Sequence, residues 1–254
     1  MSSYGRLAPH YDALTKDVPY SELAAFYEEI FRLYGLQPRS VIDLACGTGS
    51  MTLELGLRGY DMTAVDRSPD MLSVAMDKIS GLATRPLLVC QDLEDLDLYG
   101  TSDAAVCTLD GMNYVPDRSL ARVFQRIRLF LNPGGLLVFD VIAPRRLKEL
   151  DGQVFLDETD DVFCVWRADY SDEEDACIYG MDLFEKSGRL WSRSREEHRE
   201  YAHPAARLRE LLGSGGYTDI RFFGDRRTDD PSAEDDRIFC AARKPFQEDC
   251  KADG

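Results

Sequence analysis

Positive charge is scarce in this chain of 254 residues: 30 Lys and Arg face 46 Asp and Glu, a formal charge of −16. Such a chain repels nucleic-acid phosphate and anionic lipid unless basic residues gather in a patch. No basic run exceeds two residues, as at Arg226-Arg227, so neither nucleic acid nor a membrane is an expected partner. Long apolar runs are missing too, and nothing reaches the roughly 18 residues that a membrane helix needs. The opening segment MSSYGRLAPHYDALTKD has no apolar run behind a basic cluster and does not read as a secretory signal. Histidine is rare, and His10, His198 and His203 stand at no zinc spacing from a cysteine, so no metal site is expected. The seven cysteines come no closer than ten residues apart, which excludes a CxxC pair. Cys90, Cys107 and Cys240 sit in or beside apolar runs, so buried free thiols and a reducing, cytoplasmic setting are expected.

What is present is a 44% hydrophobic chain patterned as alternating strands and helices. Residues 21–35 place Leu23, Phe26, Tyr27, Ile30, Phe31 and Tyr34 at helical steps, with Ser21 as a cap and Gly35 as a stop. Strands are predicted at 40–44, 61–66, 86–90, 104–109 and 136–141, with helices at 50–57, from Ser68-Pro69 onward, and at 117–131. Strand, helix, strand, helix predicts a doubly wound parallel sheet. The pattern then changes. Residues 153–157, 162–170, 176–185 and 190–201 alternate in short runs between polar breaks, which predicts an antiparallel meander. A helix over 204–212 and strands at 218–224 and 237–242 return to the first pattern, and the tail after Lys244 is polar and predicted to fray. The expected architecture is α/β, a Rossmann-like domain over residues 1–145 and 202–246 with a meander inserted at 146–201.

The turn Val41-Ile42-Asp43-Leu44-Ala45-Cys46-Gly47-Thr48-Gly49 carries the chemistry. Ligands of parallel sheets sit past the carboxyl ends of strands, where helices begin. Gly47 and Gly49 let the backbone turn sharply and approach a ligand. Asp66 ends the next strand 19 residues after Gly47, the place for a carboxylate that takes ribose hydroxyls. A dinucleotide fingerprint would want a third glycine where Thr52 stands, and the acid Asp43 disfavours a pyrophosphate while suiting a cationic ligand.

Asp43-Leu44-Ala45-Cys46-Gly47-Thr48-Gly49 resembles the first motif of class I S-adenosylmethionine-dependent methyltransferases. Asp66, Ser68-Pro69-Asp70-Met71-Leu72, Gln91-Asp92-Leu93 and Leu131-Asn132-Pro133-Gly134-Gly135 resemble later segments of that family. Tyr4, Ala8, Tyr11-Asp12, Asp17-Val18 and Tyr20 resemble the amino-terminal pattern of its small-molecule members, as do Asp110-Gly111-Met112-Asn113-Tyr114 and the meander ending Glu197-His198-Arg199-Glu200-Tyr201. Relatives carry Ser where this chain has Gly111. The resemblance implies a seven-stranded sheet, S-adenosylmethionine as cofactor, and methyl transfer to a nitrogen or oxygen of a small-molecule acceptor. A monomer or homodimer is expected.

By that resemblance Asp43 holds the cofactor's ammonium end, Ala45, Cys46, Gly47 and Gly49 wrap its methionine part, and Asp66 takes the ribose. Asp92 and Leu93 take the adenine with Met71 against it, Tyr11 closes over the carboxylate, and Arg67 and Leu109 complete the set. Acceptor-side candidates are Asp110, Asn113, Tyr114, Trp166, Tyr170 and His198. A sulfonium methyl is already activated, so alignment supplies much of the barrier reduction and no covalent side-chain intermediate is required. Plainer roles stay open: Asp43 as a cap, Asp66 and Asp92 as solvated acids, Met71 as core, Tyr4 and Tyr11 as packing, Asn113 and Tyr114 as a turn, His198 as a strand residue. The alternative function is a catalytically silent S-adenosylmethionine-binding regulator.

Overall fold

The computed structural model describes residues 5–246; Tyr4 and Cys250 lie outside the described residues, as does most of the tail predicted to fray. The chain opens with a short helix α1 (Tyr11–Leu14) and a longer α2 (Tyr20–Leu33). Then β1 (Ser40–Leu44), α3 (Ser50–Leu57), β2 (Asp61–Asp66), α4 (Pro69–Lys78) and β3 (Leu87–Cys90) alternate. β4 (Ser102–Cys107), α5 (Asp117–Leu129), β5 (Leu131–Ile142) and α6 (Pro144–Glu149) follow. Four consecutive strands come next: β6 (Val154–Glu158), β7 (Val162–Ser171), β8 (Ala176–Ser187) and β9 (Leu190–Tyr201). The chain closes with α7 (Ala205–Ser214), β10 (Thr218–Phe223) and β11 (Arg237–Arg243).

Seven strands form one sheet in the order β10-β11-β5-β4-β1-β2-β3, and β6-β7-β8-β9 form a second, antiparallel sheet. In the large sheet β3, β2, β1, β4 and β5 run parallel, and β11 runs antiparallel to both β5 and β10. This is the Rossmann-like doubly wound fold with an antiparallel meander between β5 and α7, as the alternation predicted.

The order of elements follows from where apolar side chains are buried. One face of the sheet packs α5 and α7 through Leu120, Phe124, Ile127, Leu208 and Leu212. The other packs α2 and α3 through Phe26, Tyr27, Ile30 and Leu55. A third cluster joins Leu7 to Val162, Cys164, Met181 and Leu183, so the amino-terminal segment lies on one face of the small sheet. Each fully buried Leu, Ile or Phe in these layers contributes roughly 1.5–3 kcal/mol.

Several local expectations shift. α2 starts one residue early, at Tyr20, behind Pro19 with no side-chain cap; the Ser21 hydroxyl instead accepts from Arg58 at 3.1 Å. Ser68 does cap α4, accepting from the Met71 amide at 3.3 Å, with Pro69 at the first helical position. Such a cap contributes about 1 kcal/mol. β4 ends at Cys107 rather than 109, because Leu109 and Asp110 both take a left-handed φ of 56°. The Asn132-Pro133-Gly134-Gly135 turn lies inside β5, where the register with β4 slips between Ser102 and Ala104. α6 was not expected; it buries Leu147 against Cys177 and Ala168 of the small sheet.

Candidate active site

The carboxyl ends of β1, β2 and β4 open into a cavity roofed by the amino-terminal segment. Its wall includes Tyr11, Asp43, Ala45, Cys46 and Gly47, then Asp66, Arg67, Met71, Asp92 and Leu93, then Leu109, Asp110 and Tyr114. Of the cofactor candidates, Gly49 alone stands behind the wall, as the residue before α3 with φ 76°. A Cβ there would meet Ala75 Cβ at 3.0 Å, so glycine serves both the turn and the close approach of α4.

Asp43 is 1% exposed at the end of β1, and Thr52 Oγ1 donates to its Oδ2 at 2.5 Å. Burial, reinforced by the negative Asp66, pushes its carboxyl up to about 7 against the Thr52 hydrogen bond. A buried acid with a hydroxyl for a partner is a place where a ligand's positive charge would be stabilised. Asp66 is held by two amides: Gly47 N donates to Oδ2 at 2.8 Å and Ser68 N to Oδ1 at 2.8 Å. The first bond ties the glycine loop to the end of β2. Burial still raises the Asp66 pKa, more than these bonds lower it. Asp92 is exposed and accepts from the Glu94 amide at 2.9 Å, capping a short turn that presents Leu93 to the cavity. Cys46 is kept a thiol: burial first, then Asp43 and Asp66, push its pKa well above the ordinary value.

The roof is fastened by Asp12. Its carboxylate accepts from Thr48 Oγ1 at 2.6 Å and Lys78 Nζ at 2.7 Å, which joins α1 to the glycine loop and α4. Lys78 Nζ also donates to Thr48 Oγ1 at 2.9 Å and Ser50 Oγ at 2.7 Å.

The acceptor-side candidates divide. Asp110 and Tyr114 reach the cavity wall. Asn113 does not; it is fully buried, donating from Nδ2 to the Tyr201 carbonyl at 2.9 Å while Oδ1 accepts from Ile142 N at 3.0 Å. It stitches the end of β9 to the end of β5. Trp166 and His198 lie behind Tyr114, with ring centroids 6.5 Å between Tyr114 and His198 and 6.0 Å between His198 and Trp166. Tyr170 shares a face with Trp166 but points its hydroxyl to Asp175, under the Lys148 ammonium, away from the cavity. Its position beyond the wall follows from α6, which packs against that end of the sheet. A Cβ at Gly111 would meet Cys107 Sγ at 2.6 Å and Ala45 Cβ at 3.1 Å, so a serine there would need the thiol to move.

Sequence reasoning missed Asp140, Arg237 and Glu200. Asp140, buried in β5, accepts from the Leu109 amide at 2.9 Å and the Asp110 amide at 3.0 Å. Its carboxylate thus holds the two left-handed residues at the end of β4. Arg237 bridges Asp140 and Asp110, meeting the latter at 2.8 Å. The signal was legible: an acid in the middle of the apolar run Leu136-Leu137-Val138-Phe139-Asp140-Val141 needs a buried partner.

Residues 41–135 match the model of a methyltransferase domain. The chain is 29% identical to a putative methyltransferase, YqeM, of Bacillus subtilis over 245 residues, 95% of this chain and 97% of that one. A crystal structure of an S-adenosylmethionine-dependent methyltransferase from Clostridium acetobutylicum superposes with a TM-score of 0.82 at 28% identity, covering 95% of this chain and 99% of that one. The sugar N-methyltransferase KedS8 from Streptoalloteichus shares the fold with a TM-score of 0.76 at 21% identity, covering 93% of each chain. The fold and these matches define the class: this is an S-adenosylmethionine-dependent methyltransferase, with S-adenosylmethionine as its cofactor.

Proposed function

We propose that this enzyme methylates a small-molecule acceptor, by in-line displacement, in the cavity at the carboxyl ends of β1, β2 and β4. The observation that carries the cofactor placement is Asp43, a buried carboxylate on the cavity wall whose hydrogen-bond partner is the neutral Thr52 hydroxyl. When bound, S-adenosylmethionine supplies a methyl on a sulfonium together with an ammonium group, and so brings the positive charge that this carboxylate lacks.

The residues divide the work by position. Asp43 and the loop Ala45 to Gly49 hold the charged amino-acid end, and the lone pairs of Asp66 not used by Gly47 and Ser68 accept the ribose hydroxyls. Asp92, Leu93 and Met71 receive the base, and Arg67 and Leu109 flank it. Tyr11 closes the cavity from α1, and the Asp12 fastening holds it there. A cavity roofed on one side excludes bulk water and aligns two reactants, which is the contribution that an activated donor needs most. The roof also favours a small acceptor over a polymer. Residues 1–145 and 202–246 form the cofactor unit in this reading, and residues 146–201 cover the acceptor.

The test is calorimetric titration with S-adenosylmethionine and S-adenosylhomocysteine, with NAD as control and with the Asp66→Ala variant. Both adenosyl ligands are expected to bind, more weakly in the variant, and NAD to give no heat. Equal binding by the variant would remove Asp66 from the site, and no adenosyl binding by folded protein would remove the placement altogether.

A further inference from the structure

β9 carries a carboxylate that the methyl-transfer reading leaves unused. Register places Glu200 opposite Cys177, His198 opposite Tyr179 and Glu196 opposite Met181. Met181 packs against Leu7, so this is the inward face of the small sheet. Glu200 is 6% exposed, and Tyr114 donates its hydroxyl hydrogen to Glu200 Oε1 at 3.2 Å. The other oxygen, Oε2, is buried, and the Tyr179 side chain stands beside the carboxyl as a second hydrogen-bonding neighbour. Tyr114 itself lines the cavity, beside Asp110.

The charges here do not balance. Asp110, Asp140 and Glu200 stand together, and the cation among them, Arg237, is shared between Asp110 and Asp140. Burial first, then the nearby Asp110, pushes Glu200 up to about 8, while Tyr114, Tyr179 and Arg237 act in the lowering direction. A neutral acceptor would leave the surplus negative charge unrelieved. A cationic one would relieve it.

We propose that the acceptor is an amine, met at the cavity wall by Asp110 and the Tyr114 hydroxyl, with Glu200 receiving its proton through Tyr114. This rests on the cofactor placement proposed above. The ammonium gives one proton to the Tyr114 oxygen as Tyr114 passes its own to Glu200. The freed nitrogen pair forms the new C–N bond while the C–S pair stays on sulfur, and Glu200 later returns its proton to water. An ordinary Glu near 4.3 is a poor base for an ammonium near 10, whereas a raised one closes much of that gap. Glu200 is thus a positioning and proton-accepting residue that works through Tyr114.

The test uses the full chain saturated with S-adenosylhomocysteine, with binding of benzylamine, benzyl alcohol and benzoate read by saturation-transfer NMR at millimolar concentration. Benzylamine is expected to bind at least tenfold more tightly than the alcohol, and benzoate not at all. Benzylamine affinity should rise as pH passes through about 8, where Glu200 ionises. The groups facing Glu200 that could share that titration are Asp110, Arg237, Tyr114, Tyr179, Cys177 and His198. Glu200→Gln keeps the shape and removes the titration, so its profile should be flat and its benzylamine affinity tenfold lower, with S-adenosylhomocysteine binding unchanged. Tyr114→Phe removes one of the groups that lower Glu200, so its profile should move to higher pH rather than flatten, and Glu200→Asp should restore part of the preference. Binding of the alcohol or benzoate as tight as that of the amine would overturn the proposal. So would a pH rise that survives in Glu200→Gln, or no benzylamine binding by protein that binds S-adenosylhomocysteine. Failure of S-adenosylhomocysteine itself to bind would instead sink the cofactor placement, and this inference with it.

Discussion

Asp43 costs the empty enzyme stability, and the sign of that cost can be worked out. Its carboxyl lies near 3.8 in an unfolded chain and is pushed to about 7 in the folded one. A raised acid favours folding while it is protonated, so its contribution is full below about pH 4 and is lost as pH rises through 7. Asp43→Asn removes that loss. In thermal melts without ligand the variant should overtake the parent above pH 7, by about 3 °C or more, and the gap should close below pH 4. The same variant should bind S-adenosylmethionine at least tenfold more weakly. A melt difference that stays constant from pH 4 to 8 would contradict this account. Asp66 makes a second residue-scale case. Charge-assisted hydrogen bonds contribute about 1.5–3 kcal/mol, so Asp66→Ala should weaken both adenosyl ligands roughly tenfold to a hundredfold, measured by calorimetry.

The amino-terminal fastening acts at the scale of elements. α1 is four residues long and fully buries none of them; it is held by Leu7 behind it, by Tyr11 and Leu14 packed against the small sheet, and by the Asp12 contacts in front. The Lys78–Asp12 pair is partly exposed, and such pairs contribute little to global stability, about 0–1 kcal/mol. Asp12→Ala should therefore leave the melting temperature within about 3 °C yet speed hydrogen exchange in α1 and raise the dissociation rate of S-adenosylhomocysteine. An unchanged dissociation rate would mean that α1 does not close the site. How much of this was legible depends on range. The glycine loop, Asp66 and the Ser68 cap are short-range features, written within one strand, turn and helix, and they could be read from the sequence. α6 escaped because its six residues present one buried leucine, too little for a period to show. Tyr170 was read as near the cavity because its spacing from Trp166 fixes a shared face, whereas α6 decides which end of that face is covered. Arg237 and Asp110 are 127 residues apart, and only the pairing of β11 with β5 brings them together.

For the molecule as a whole, burial is uneven between the two sheets. β1 and β4 are interior strands of the large sheet and are almost wholly buried, while β6 and the first half of β9 are largely exposed. Native-state hydrogen exchange should accordingly be slowest in β1 and β4 and fastest in β6 and residues 190–195. Added S-adenosylhomocysteine should slow exchange at the ends of β1 and β2 and leave β6 unchanged. Protection spread evenly over both sheets would argue that the meander closes on the cofactor directly. The Asn113 stitch has a consequence for engineering. Because it clamps Tyr201 and Ile142 to one side chain, the end of β9 is anchored to the large sheet, while the stretch from 154 to 198 is anchored by its own ladder, by Leu7 and by α6 through Leu147 against Ala168 and Cys177. On the proposal that residues 146–201 cover the acceptor, a foreign meander grafted between those limits, with Asn113, Glu200 and Tyr201 retained, should change the acceptor and leave S-adenosylhomocysteine binding unaltered.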